Sequence, residues 1–396
     1  MGSGVRHGAR TFDLRKTVCA LGIAQIVSWG TLFYTIAVLG PPMARAIGAS
    51  DVMLYGSFTA GLFVSGILSP WVGRRIDRRG GRGVLAGGSA LGALACVLLA
   101  VAQNSAMMLA GWLVAGAAMS ACLYDPGFAT LYRVSGGSYR RAVTVLTLFG
   151  GFASTVFWPL SQWLLEVRGF RVAFAVHAAL NLVVCLPLHL WFVPSGMRVE
   201  VPLHAAGSEA RTTARGAFAW LATAFGLTAF LASAVSAHLV ALLGAGGLAA
   251  RDAVLVGALI GPMQVAGRAM EFAFAHRITP LAVGTFSFAL FATAICLLAA
   301  VHGVWVLALA FALAYGWANG LMTIVRGTVP GVLFGGRDYG ALLGRLAQPQ
   351  FILKSLAPVA VTLLSAVDDT RRVALFVLAA CAVLALACYR MAIARR

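Results

Sequence analysis

Gly73-Arg74-Arg75-Ile76-Asp77-Arg78-Arg79-Gly80-Gly81-Arg82 joins two long apolar runs and sets five arginines and three glycines around one carboxylate. A short basic cluster between residues that avoid water is the mark of a tight turn on one side of a membrane. The rest of the chain agrees. Of its 396 residues, 61% are hydrophobic and 11% charged, against about 45–50% and about 25% in ordinary soluble domains. A soluble enzyme is excluded, because a water-soluble fold of this size cannot hide so much apolar surface. A disordered chain is excluded because it would need far more polar residues. The formal charge of +18 falls in clusters between the apolar runs and carries no nucleic-acid motif. It reads as a topology signal and gives no nucleic-acid partner. The seven cysteines lie in apolar runs without CxxC spacing and read as small hydrophobes, not as a metal site or a disulfide framework.

Twelve apolar runs are long enough for spanning helices of about 20 residues. They lie at 17–40, 51–73, 83–102, 105–132, 142–166, 171–193, 216–243, 251–276, 279–301, 303–327, 340–366 and 370–392. Their continuity excludes barrel strands, which alternate at period two. The first run follows Arg6, Arg10, Arg15 and Lys16 without a cleavage site, so it reads as a retained helix. An even number of spans puts both termini on one side. Making that side cytoplasmic places most basic residues there, including those of the segment 133–141, Arg326 at the end of its run, and Arg337. Only Arg45, Arg168, Arg171, Arg251, Arg371 and Arg372 fall opposite. The expected location is therefore the inner or plasma membrane.

The longest polar segment divides the chain. The expected organisation is a cytoplasmic tail at 1–16, a six-helix bundle at 17–193, a cytoplasmic linker at 194–216, a second six-helix bundle at 217–392 and a tail at 393–396. The halves share a trace of each other. Gly73-Arg74 leads to Asp77, and Gly267-Arg268 leads to Glu271, each at the end of the second helix of its half. Pro126-Gly127 and Pro330-Gly331 correspond in the same way. Parallel halves of this kind mark a two-bundle transporter.

On these residues the chain resembles the major facilitator superfamily, whose G-x3-D-R-x-G pattern is met by Gly73, Asp77, Arg78 and Gly80. The resemblance implies an all-α polytopic fold of twelve helices in two bundles related by a pseudo-two-fold axis. It also implies a gating latch on the cytoplasmic side. Asp77 is placed to meet the positive N-terminal end of a facing helix. Arginines such as Arg78 and Arg82 can meet acids on helix 4 or carbonyls. The family usually carries a basic residue where Gly81 stands, and Arg79 or Arg82 is left to substitute.

Ions within spans are costly and mark function. Asp125 and Glu271 are the clearest interior acids, with Glu166 at a helix end. Asp125 reads as a latch partner, as a proton-coupling carboxylate or as the partner of Arg133. Lys354 lies near the middle of helix 11, too deep for easy snorkelling, and Arg268 lies on helix 8. The anion-transporting branch of the family, which exchanges oxalate for formate or moves monocarboxylates, is similar in carrying an arginine on helix 8 and a lysine on helix 11. That resemblance implies that Arg268 and Lys354 are carboxylate clamps, one a planar fork and the other a point charge. Proton-coupled monocarboxylate carriers have an acid where Gln264 stands. The competing readings are that Glu271 neutralises Arg268 and that Lys354 pairs with a neighbouring helix. Gln25, Ser28, Trp29, Tyr34, Trp158, His238, Trp317, Asn319, Gln348 and Gln350 are candidates to line the cavity, or to pack helix interfaces.

No GxxxxGK[ST], HExxH or GxSxG motif is present, so the chain does not read as an enzyme or as ATP-driven, and no cofactor is called for. The expected function is secondary transport of a small organic anion, by a monomer in the lipid bilayer, driven by protons or by exchange. The alternative is efflux of drugs, or of trivalent arsenic or antimony through thiols such as Cys122.

Overall fold

The computed structural model describes residues 13–195, 208–335, 338–365 and 371–395, and these are helices and short turns. The tail at 1–16 and the linker at 194–216 therefore lie largely outside the described residues, as does Arg337.

The first helix, α1 (Leu14–Ser28), starts where the Asp13 carboxylate accepts the N–H groups of Arg15 and Lys16. It runs through a π turn at Trp29–Tyr34 into α2 (Thr35–Ala46). Next come α3 (Asp51–Arg79), capped by Ser50, α4 (Arg82–Ala100), and α5 (Ser105–Cys122), capped by Asn104. A break at Leu123 separates α5 from α6 (Tyr124–Ser135). After a tight turn at Gly136–Ser138, α7 (Tyr139–Gly151) leads into α8 (Ala153–Leu180), a π turn and α9 (Leu186–Phe192). The second half comprises α10 (Ser208–Ala245), α11 (Ala250–Phe274), α12 (Pro280–Ala299), α13 (Trp305–Phe334), α14 (Tyr339–Ser365) and α15 (Arg372–Ala394).

Among the described residues, nine helical stretches are long and apolar enough to cross a membrane. One of them, Ser105–Phe192, has 88 residues. Straight, it would reach about 130 Å, over four times the hydrocarbon thickness of about 30 Å. It doubles back instead. Gly169 has φ +79° and ψ 168° inside α8, nearly the conformation of Gly80 between α3 and α4. Ser161 and His177, on either side of Gly169, are hydrogen-bonded at 3.2 Å, although sixteen helical positions would separate them by about 24 Å. With the turn at Gly136–Ser138, this stretch holds three limbs. The helix α14 is not among the nine; Arg345, Gln348, Gln350 and Lys354 punctuate it.

Two boundaries differ from expectation in ways that matter. The run expected to end at 327 continues to Phe334, which puts Arg326 about two turns inside α13 instead of at its end. The run expected to start at 142 begins at Tyr139, which puts Arg140 on a helix.

The helices before residue 195 enclose a core that includes Leu39, Leu62, Trp112 and Phe174. Those after residue 208 enclose Leu231, Phe291, Phe311 and Leu378. A third core, with Ile76, Phe128, Leu146, Val325 and Tyr339, draws on both halves near the Gly73–Arg82 turn, the arginine-rich face. There α3 and α14 meet backbone to backbone. A Cβ on Gly73 would overlap the Gly340 carbonyl, and one on Gly344 would overlap the Ser69 carbonyl. Small residues at such crossings let helices approach without a gap.

Candidate functional site

At the arginine-rich face the Asp77 carboxylate accepts the backbone N–H groups of Gly340 at 2.9 Å and Ala341 at 2.7 Å. These are orphan donors in the first turn of α14, where a negative charge also meets the positive end of the helix dipole. Arg133, from α6, donates to the Asp77 carbonyl. The hydroxyls of Tyr139 and Tyr339 both donate to the Gly327 carbonyl on α13, and Tyr132 stacks on Tyr339 with centroids 3.8 Å apart. The two halves are thus tied through α3, α6 and α7 on one side and α13 and α14 on the other. The missing basic residue at Gly81 has a steric reason: a Cβ there would overlap the Thr130 side chain. Arg82 donates to the Val193 carbonyl within the first half, and Arg78 is exposed. The arginine that reaches the Asp77 backbone is Arg133.

Gly73→Val is expected to separate α3 from α14 on this face. Overpacking of this kind costs about 1–3 kcal/mol, which is roughly a five- to 150-fold shift in a two-state population. Distances between spin labels at Arg79 and Arg277, in a cysteine-replaced background, check it. An unchanged distance distribution counts against the tight crossing.

Deeper in, the Lys354 ammonium lies 3.8 Å from the Phe33 ring centroid and 5.7 Å from that of Trp29, a cation–π arrangement. The π turn in the first rod brings Trp29, Phe33 and Tyr34 together. Trp29 stands 5.0 Å from Tyr124, and Tyr34 stands 6.0 Å from Trp158. Extra-residue turns of this type recur at functional sites. Among the described residues no carboxylate lies within ion-pairing distance of Lys354, although Asp125 and Arg326 lie within its electrostatic reach. Asp125 is held by Arg326, whose Nη2 donates to both carboxylate oxygens at 2.7 and 2.9 Å.

The competing reading, that Glu271 neutralises Arg268, does not hold among the described residues. The Glu271 oxygens accept from Arg140 Nε at 2.7 Å and Thr144 Oγ1 at 2.7 Å. Both donors come from α7, across the interface, and they occupy the carboxylate. Arg268 is buried with only long contacts, 3.4 Å to the Gly320 carbonyl and 3.4 Å to Thr323 Oγ1. Its Nη1 is buried without an acceptor. The guanidinium fits because Gly151 has no side chain, just as the adjacent Gly150 makes room for the Tyr124 hydroxyl. Arg268 acts electrostatically on both Tyr34 and Tyr124.

Other candidates fall in different places. The Gln25 amide donates to the Cys122 and Leu123 carbonyls, and its oxygen accepts from Trp29 Nε1. It serves the break between α5 and α6 and orients Trp29. Trp158 is 47% exposed and, with Val38, Ser154, Thr155 and Gln162, lines a cavity of about 630 Å³. Gln264 and Asn319 are half-buried, and the Gln264 backbone lies against Gly320. His238 Nε2 meets the Pro358 carbonyl at 3.0 Å, and Gln350 donates within its own helix. Cys122 is fully buried, and no group of three metal-ligating residues occurs among the described residues. Arg326, Arg140, Tyr139 and Tyr339 were absent from the expected site. The apolar residues that follow Arg326 were the available signal that its helix continues.

A family model described as "Major Facilitator Superfamily" matches residues 21–280. An "Uncharacterized 38 kDa protein in 23S RNA operon" of Thermoproteus tenax is 29% identical over 260 residues, which is 65% of this chain and 65% of that protein. The multidrug resistance protein MdtL of Shigella flexneri serotype 5b (strain 8401) is 28% identical over 142 residues, 36% of this chain and 35% of MdtL. The chain therefore spans less than two thirds of the length of either relative. Among solved structures, the E. coli fucose:proton symporter FucP aligns with a TM-score of 0.74 at 16% identity, covering 97% of this chain and 99% of that one. The human organic anion transporter MFSD10 (TETRAN) aligns with a TM-score of 0.72 at 16% identity, covering 96% and 99%. These likenesses concern the fold, and they imply the twelve-helix architecture that the nine apolar stretches alone do not count out.

Proposed function

The chain belongs to the Major Facilitator Superfamily, and on that premise we propose that it is a secondary transporter of a small organic anion, a carboxylate. It works by alternating access between two six-helix bundles in the inner or plasma membrane, with both termini cytoplasmic. The observation that carries the reading is that Lys354 and Arg268 are interior cations without a carboxylate partner among the described residues. An uncompensated buried charge is costly, and an incoming carboxylate removes that cost. Substrate sits between Lys354, Arg268, Trp29 and Tyr34, with Trp158 and its cavity on the way in and Gln264 and Asn319 nearby. Asp77, its α14 partners and the two tyrosines form the latch that closes the arginine-rich, cytoplasmic face. Asp125 and Glu271 are the carboxylates available for proton coupling, and exchange of one anion for another needs no further driving force.

The test is uptake of formate, acetate, lactate and oxalate into liposomes holding the purified protein. It is run with an inward proton gradient, with preloaded anion, and with neither. Saturable uptake of at least one of them under one of the first two conditions is expected. Absence of all four under all conditions, with protein that remains folded, counts against the anion assignment.

The likeness to MdtL favours a second reading, export of drugs. It predicts that Asp125 dominates substrate affinity and that Lys354→Ala leaves drug resistance intact.

A further inference from the structure

We propose that the cargo is an aromatic carboxylate, an acid whose charge rests on Lys354 and whose flat ring rests in a cage of Trp29, Tyr34 and Trp158. This inference rests on the carboxylate reading above and deepens it, from the charge to the body that carries the charge.

The cage begins in the backbone. On an α-helix, two residues five apart point about 140° away from each other. The turn at Trp29–Tyr34 is a π turn, whose i→i+5 bonds bring such a pair back toward one face. Trp29 therefore meets both Phe33, at 5.1 Å between centroids, and Tyr34, at 6.1 Å. Two buried amides hold this turn from behind. Gln25 accepts from Trp29 Nε1 at 3.1 Å. Asn181, in the π turn after α8, donates from Nδ2 to Thr31 Oγ1 at 2.8 Å. Rings that merely fill space need no polar fixtures. Rings set in advance spare a ligand the cost of ordering them.

The rings meet as a corner, not as a stack. Trp29 and Phe33 cross at 71°, Phe33 and Tyr34 at 87°, and Tyr34 and Trp158 at 85°. Such crossings leave faces and edges open, the two approaches that a further aromatic ring favours. Trp29, Phe33 and Tyr34 are only half-buried and Trp158 is exposed. By contrast Tyr124 and Phe128, stacked at 6°, are buried.

The cavity at Trp158 continues the corner. Its volume of about 630 Å³ lies within the range of about 300–1,000 Å³ of small-molecule pockets. Ala37, Val38 and Pro159 are part of its wall, and none of the described residues that line it is charged. A second carboxylate finds no cation there, whereas an apolar ring gains by leaving water. At its other end the cage meets the Lys354 ammonium, 5.7 Å from the Trp29 centroid and 3.8 Å from that of Phe33. The rings belong to the first half and the ammonium to α14 of the second, so ring site and charge site adjoin only where the halves meet. Formate or oxalate would fill the charge site and leave the rings unused.

Competition in liposomes tests this. Labelled acetate is the reporter, protein-free liposomes are the blank, and benzoate, phenylacetate, cyclohexanecarboxylate and benzyl alcohol are the competitors. Benzoate or phenylacetate is expected to bind about tenfold or more tighter than acetate, because aromatic pairing adds to plain burial. Cyclohexanecarboxylate is expected to bind less tightly than benzoate, and benzyl alcohol, which lacks the charge, is expected not to compete. In Trp29→Leu and in Tyr34→Leu the advantage of benzoate over acetate is expected to shrink toward none. That ratio is taken within each variant, so it does not depend on how much of the protein folds. Equal affinities for acetate and the aromatic acids in wild-type protein overturn the aromatic class and leave the carboxylate reading standing. Parity of cyclohexanecarboxylate with benzoate does the same. An advantage unchanged in both variants overturns the cage. Competition by benzyl alcohol equal to that of benzoate, or absence of uptake of labelled acetate and labelled benzoate alike, sinks the carboxylate reading itself.

Discussion

Lys354→Ala is expected to lower kcat/KM for carboxylate uptake by about a hundredfold or more. The ammonium stands on aromatic faces, 3.8 Å from the Phe33 centroid, with no protein carboxylate at ion-pair distance among the described residues. A desolvated charge contact with substrate is worth about 2–5 kcal/mol when one partner is truncated, and each 1.4 kcal/mol is about tenfold. Lys354→Arg is expected to recover only part of the loss, because a planar fork does not occupy the place of a compact ammonium between Phe33 and Trp29. Initial uptake rates across a concentration series in liposomes measure both. Retention of more than half the wild-type kcat/KM in Lys354→Ala would remove the lysine from the binding site.

Arg140→Leu is expected to produce the largest loss of stability among single substitutions at the interface. The Glu271 side chain is only 2% exposed, and without Arg140 its remaining donor is Thr144. Breaking a buried pair by deleting one member costs about 3–5 kcal/mol, because the other charge stays uncompensated. Replacing both residues by leucine is expected to restore much of that. The recovery is incomplete, since Arg140 Nη1 also serves the Ala275 and Ile278 carbonyls at the end of α11. Thermal midpoints in detergent for the two single variants and the double variant give the coupling. A single variant as stable as the wild type would mean that the pair contributes nothing.

The arginines show where sequence reading stops. Gly81 breaks the usual basic pattern, and a search limited to the turn offered Arg79 or Arg82 as the substitute. Arg133, on another helix, reaches the Asp77 backbone instead, while Thr130 explains the glycine. Glu271, three positions after Arg268, was a reasonable local partner, since such residues share a helix face. Two donors on α7 compete for it at 2.7 Å and win, because α11 turns that face toward α7. Arg326 was counted at the cytoplasmic end of its run, with Pro330-Gly331 just beyond it. The proline instead lies within the helix, which runs on to Phe334.

Apolar run length and the basic turns between runs determined on their own that this chain is a multi-pass helical membrane protein; the Gly73–Arg82 pattern gave only a resemblance to the Major Facilitator Superfamily, which the family match over residues 21–280 then showed. Those features depend on burial and on hydrogen bonds closed within each helix, which neighbouring residues decide together. The choice of counter-ion belonged to the tertiary structure. Asp125 meets Arg326 across 201 positions and Arg140 meets Glu271 across 131. In a low-dielectric interior the partner that approaches within 3 Å with good geometry prevails over one merely near in the chain. Only the packing of α6 and α7 against α11 and α13 determines which partner that is.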